Sequence, residues 1–137
     1  MDTNVVSEPG RRRPDPNVID WLAAQDGWDA YVSVLTLGEI AQGAARLGSP
    51  RGDRYVAWLE DVVIPTYGER VVPVDDRVAL AWGRLGGDQA AKGRTIPVID
   101  GLLVATAMVH DLTLVTRNVR DVRGLGVDVI DPGAPRA

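Results

Sequence analysis

Four acids in this sequence, Asp2, Glu39, Asp100 and Asp121, lie where a carboxylate can do chemistry. Asp2 stands where a first strand would end, and Glu39 one turn into the helix after the β-rich Tyr31 to Leu35. Asp100 opens an apolar helix, and Asp121 follows the β-rich Leu114 to Thr116. In an open parallel sheet the ligand site lies at the carboxyl ends of the strands, so these four share one edge. Carboxylates gathered there repel each other unless a cation neutralises them, and Mg2+ or Mn2+ takes carboxylate oxygens together with waters. The chemistry to which such a set points is metal-assisted hydrolysis of a phosphodiester. Each acid also has a structural explanation. Thr36-x-x-Glu39 reads as a capping box, Asn118-x-x-Asp121 imitates one, and Asp2 and Asp100 suit the positive ends of helices. Capping alone does not ask for an acid at several strand ends along one edge.

Composition removes most other chemistries. The chain has 137 residues, one domain's worth over 1–137, and 45% of them are apolar against 25% charged, the balance of a folding globular chain. With no cysteine and one histidine, disulfides, thiolate sites and His-rich zinc sites are unavailable. His110 closes an apolar helix, where a cation suits the dipole. The net charge of −4 excludes broad counterion release as the main source of nucleic-acid affinity. Local basic groups remain: Arg11, Arg12 and Arg13 in one loop, and Arg117, Arg120 and Arg123 near the fourth acid. Either set can hold RNA phosphate or simply be solvated. No Walker motif is present, and Gly124-x-Gly126 lacks a third glycine, so no nucleotide cofactor is indicated. No apolar run is long enough to cross a membrane and no signal peptide opens the chain, which fits a cytoplasmic protein.

Strands alternate with helices along the chain. Asp2 to Glu8 reads as a strand end running into a short helix stopped by Pro9-Gly10, and Pro16 to Gln25 as a helix ended by Gly27 and flanked by Trp21 and Trp28. Tyr31 to Leu35 is a strand and Thr36 to Arg46 a helix. Tyr55 to Val63 is a helix stopping before Pro65, and Arg70 to Val74 the next strand. A helix opens at Asp75 or Asp76, with Gly86-Gly87 a candidate interruption. Ile99 to His110 is a helix, and Leu112 to Thr116 and Val127 to Ile130 are strands. Trp21, Trp58 and Trp82 fall within apolar stripes as core or subunit-contact residues. The pattern is an α/β sandwich with a parallel sheet covered on both faces.

Met1-Asp2-Thr3-Asn4-Val5-Val6-Ser7-Glu8 resembles the opening segment of PIN-domain proteins, in particular toxins of the VapC/FitB type. Thr36-Leu37-Gly38-Glu39-Ile40 with Gly43, Ile99 to Ala107 and Leu114 to Val122 resemble that family's second, third and fourth acidic segments, and Val127 to Pro132 its last strand and tail. The resemblance implies a three-layer α/β/α sandwich with a short parallel sheet, and a Mg2+ or Mn2+ dependent endoribonuclease leaving 5′ phosphate and 3′ hydroxyl ends. Asp2 and Asp100 would hold the principal metal, with Glu39 and Asp121 completing the cluster. Thr116 would lie beside the metal, Asn118 would orient water or phosphate, and Asn4 belongs to the supporting set. It further implies the toxin of a type II toxin–antitoxin pair, an antitoxin partner and a homodimer. Two rivals are a non-catalytic PIN-like binding module and a metal-dependent phosphatase or DNA nuclease. In the resembled family several apolar residues precede the first acid, whereas here only Met1 does. The first strand is therefore expected to be truncated, the natural start to lie upstream, and the Met1 amino group to compete with metal for Asp2.

Overall fold

The computed structural model describes residues 1–11, 13–25 and 29–134. The expectations for Arg12, Gly27 and Trp28 lie outside the described residues, and that for the Asn4 side chain does too. Along the chain run α1 (Thr3–Val6), α2 (Pro16–Ala24), β1 (Val32–Ser33), α3 (Val34–Leu47), α4 (Arg51–Trp58), α5 (Ile64–Tyr67), β2 (Val71–Val72), α6 (Asp76–Ala91), α7 (Val98–His110), β3 (Leu114–Val115), α8 (Val119–Val122) and β4 (Val129–Ile130).

The strands are shorter than the β-rich stretches that carry them. Ser33 ends β1 because its hydroxyl accepts the Leu35 N–H at 3.1 Å and caps α3. Pro73, with no N–H to give a ladder, follows β2. Asp111 in the left-handed region turns the chain out of α7, and Leu112 N–H closes that turn on the Ala107 carbonyl at 2.8 Å before β3 begins.

β1 pairs in parallel with β2, and β3 with β4. Met1 and Asp2 lie between the two pairs. The Met1 amino group donates to the Tyr31 carbonyl at 2.8 Å, and the Asp2 N–H to the Val115 carbonyl at 2.9 Å. Residues 1 and 2 are thus a stub with one ladder bond to each half of the sheet. Next to it is a cavity of about 370 Å³ lined by Met1, Tyr31, Val32, Ala107, Leu112 and Leu114 among others.

Helices cover both faces, since successive strand residues point to opposite sides. Leu114 packs with Leu85 of α6 and Leu103, Val104 and Ala107 of α7, while Val115 packs with Val5 of α1 and Val18 of α2. Val32 joins Val6, Ile40, Leu59 and Val63 in a third cluster. Gly52 lets α4 close on α3, for a Cβ there would stand 2.2 Å from the Ala44 carbonyl oxygen.

Two helix expectations need correction. Gly86-Gly87 does not interrupt α6, which runs from Asp76 to Ala91; Leu85 and Gln89 on either side of the glycines are buried, and that packing offsets the propensity cost. Pro65 does not stop the helix that starts before Tyr55. A π-helical turn at Leu59–Val63, with Ile64 N–H reaching back to Leu59, widens the spiral and lets Pro65 enter α5 near its start.

Candidate active site

Asp2 leaves the sheet stub with an extended backbone. Its Oδ1 accepts the Thr3 N–H at 2.6 Å, and its Oδ2 accepts the Thr116 hydroxyl at 2.7 Å from the end of β3. Thr116 is buried, and its hydroxyl oxygen in turn accepts the Asn118 N–H at 3.0 Å. One hydroxyl therefore ties the first acid to the loop that carries the fourth.

Glu39 does not belong to a capping box. Ser33 is the cap of α3, and Thr36 lies inside the helix, fully buried, giving its hydroxyl hydrogen to the Met1 carbonyl at 3.1 Å. Glu39 instead accepts the Thr3 hydroxyl at 2.7 Å, so Thr3 bridges Asp2 and Glu39. Asn118 precedes α8 without a side-chain bond to the helix backbone, and its amide donates to Asp121 Oδ2 at 2.5 Å.

Asp100 sits half-buried in the first turn of α7 with no side-chain cap before it. A helix N-terminus favours a carboxylate. Even so, burial, and then the negative charges of Asp2, Asp121 and Glu39, hold its carboxyl above the usual carboxylate range. The charges of Asp2, Asp121 and Glu39 are thus felt at Asp100, which isolated capping does not explain.

The donors around this point are all oxygens, suited to a hard cation. Among the described residues, no group of three or more His, Cys, Asp or Glu side chains already stands in metal-holding geometry. Mg2+ takes one or two carboxylates and keeps several waters, so shared charge rather than a closed cage is the property that fits it. The Met1 amino group does not compete for Asp2 as expected: it is turned to the Tyr31 carbonyl, and burial pushes its pKa down to about 6 against the pull of Asp2.

The arginines divide. Arg11, Arg13, Arg120 and Arg123 are exposed. Arg117, expected at RNA phosphate, turns inward to Glu8 and Asp15. Thr3, Glu8 and Arg94 are site neighbours that the spacing of acids does not reveal; Arg94 donates to the Asp121 carbonyl at 3.1 Å and the Arg123 carbonyl at 2.8 Å, holding α8 in place. The Asp-Thr dipeptide is a signal for Thr3, while nothing in the local sequence marks Arg94.

A family model described as PIN domain matches residues 1–123. The chain is 33% identical over 138 residues to VapC ribonuclease Y4jK of Sinorhizobium fredii, covering 98% of this chain and 97% of that protein. It is 32% identical over 133 residues to toxin FitB of Neisseria gonorrhoeae, covering 96% of each. It also superimposes on the crystal structure of FitAcB from Neisseria gonorrhoeae with a TM-score of 0.90, at 32% identity over 96% of this chain and 95% of the other.

Proposed function

The chain belongs to the PIN domain family, and from that membership we propose that it is a divalent-metal-dependent endoribonuclease, the toxin of a type II toxin–antitoxin pair. The observation that best supports the reading is the hydrogen-bonded link of Asp2 to Thr116 and, through Thr3, to Glu39, beside which the Asp100 carboxyl is raised by burial and then by the charges of Asp2, Asp121 and Glu39. Asp2 and Asp100 would hold a Mg2+ or Mn2+ ion, with Glu39 and Asp121 completing the set directly or through water. Such an ion supplies charge neutralisation at the phosphate and lowers the pKa of an attacking water.

The chain's own groups do the rest. Thr116 and Thr3 fix both oxygens of Asp2, Thr3 fixes Glu39, and Asn118 steadies Asp121, so the carboxylates lose little rotamer freedom on binding a cation. Exposed Arg13 and Arg120 are available for RNA phosphate and carry no base specificity. The partner is an antitoxin protein, consistent with the toxin relative. A homodimer is part of the same reading. No helix among the described residues is long and apolar enough to cross a membrane.

The test is cleavage of a mixed RNA by the purified chain with Mg2+, with EDTA, and with Asp100→Asn. The reading expects cleavage only for the unaltered chain with metal. Cleavage in EDTA, or equal cleavage by Asp100→Asn, contradicts it.

A further inference from the structure

Glu8 is the largest fully buried side chain among the described residues, 1% exposed. A carboxylate stays out of water only when it is paired and hydrogen-bonded. Its Oε1 accepts the Asp15 N–H at 2.7 Å, while Oε2 faces Arg117 Nη1 at 3.4 Å and Arg11 Nε at 3.5 Å. The second nitrogen of the Arg117 fork reaches Asp15 Oδ2 at 3.0 Å. The tail lies over the same group: a Cβ on Gly133 would stand 3.2 Å from Arg117 Nε, and the Asn17 amide holds the Gly133 carbonyl at 3.2 Å. The guanidinium is therefore spent within the protein.

Its neighbours in sequence are what make it functional. Thr116 holds Asp2 at 2.7 Å and Asn118 holds Asp121 at 2.5 Å, so Arg117 stands between the two residues that grip two of the four acids. Glu8 closes the segment that Asp2 opens. The Arg117–Glu8 contact thus ties the segment bearing the first acid to the loop bearing the fourth.

We infer that Arg117 is a positioning residue, a clamp that sets the spacing of Asp2 and Asp121 through Thr116 and Asn118, rather than a contact for RNA phosphate. The inference rests on the ribonuclease reading. It requires a planar fork that meets two carboxylates at once, which a lysine ammonium cannot reproduce.

Arg117→Lys and Glu8→Gln separate the possibilities, with Arg120→Ala as the reference for a phosphate contact. The clamp predicts that both variants lower kcat about tenfold or more and weaken Mn2+ binding, read by calorimetry, about as much, as loss of a metal ligand's supporting partner does. KM and its dependence on salt should stay as in the unaltered chain, and the double variant should lose no more than the worse single one. A raised KM with a shallower salt dependence for Arg117→Lys, the signature of a lost phosphate contact, overturns the clamp. So does a lowered Tm with kcat and Mn2+ affinity unchanged, the mark of a merely structural brace. Glu8→Gln keeps the shape but leaves one acceptor and sets an amide donor against donors, and it decides by the same readouts if Arg117→Lys does not fold. If the unaltered chain cleaves no RNA, the ribonuclease reading fails, and Mn2+ affinity alone still decides the clamp.

Discussion

Asp100 carries two opposed obligations. In the proposed role its charge holds a cation, and the same charge, half-buried and then close to Asp2, Asp121 and Glu39, destabilises the metal-free fold. Because folded Asp100 holds its proton to a higher pH than the unfolded chain does, the folded state binds more protons across that window. The Asp100 contribution to metal-free stability should therefore fall as pH rises from the ordinary carboxylate range through the raised value. Asp100→Asn should flatten this fall in a pH series of melting curves and also cost more activity than the roughly 10–100-fold lost with an outer partner. A fall of unchanged size in the variant would assign it to another group. Asp121 and Asn118 invite a second comparison. Asn118 donates to Asp121, and a carboxylate is the better Mg2+ ligand, so Asp121→Ala should lower kcat more than Asn118→Ala. The reverse order would make Asn118 the fourth position. The positions of three of the acids are legible in the sequence because they stand at helix starts, Asp2 before α1, Asp100 in the first turn of α7 and Asp121 in that of α8. The inward turn of Arg117 is not, since its partners are 109 and 102 residues away and nothing local marks Glu8 as buried.

Among the elements, order and type are legible and the boundaries are not. The β-rich runs name the four strands, but each pairs over only two residues, because Ser33, Pro73 and the turn at Asp111 intervene. Pro65 misleads because a π turn removes the conflict that normally ends a helix there. The sheet centre is the element with most to gain. Tyr31 and Val115 each give the stub one carbonyl, and the neighbouring cavity lies between the half-sheets. Three apolar residues added ahead of residue 1 would run on between β1 and β3 and fill it. At about 1 kcal/mol per ladder bond, two further bonds raise Tm by roughly 5 °C or more. Unchanged melting of the extended chain would show that the cavity does not accept a strand.

For the molecule as a whole, charge sets the terms. The chain is net acidic, 19 Asp and Glu against 15 Lys and Arg, and the charges of Asp2, Glu39 and Asp121 act on Asp100 where the sheet stub, α3, α7 and α8 meet. Distant parts of the sequence, from residue 2 to residue 121, contribute to that point, so no single segment suffices and the order of the four segments along the chain is what makes the site readable. In the proposed function the fold draws these carboxylates together and a bound cation offsets their repulsion. Mn2+ titration of the metal-free protein by calorimetry tests this most directly, with Asp2→Asn, Asp100→Asn and the exposed Asp88→Asn alongside the unaltered chain. The account predicts saturable Mn2+ binding by the unaltered chain, kept by Asp88→Asn and weakened about tenfold or more by Asp2→Asn and by Asp100→Asn. Binding by Asp100→Asn as tight as that of the unaltered chain, or no binding by the unaltered chain at all, would contradict it.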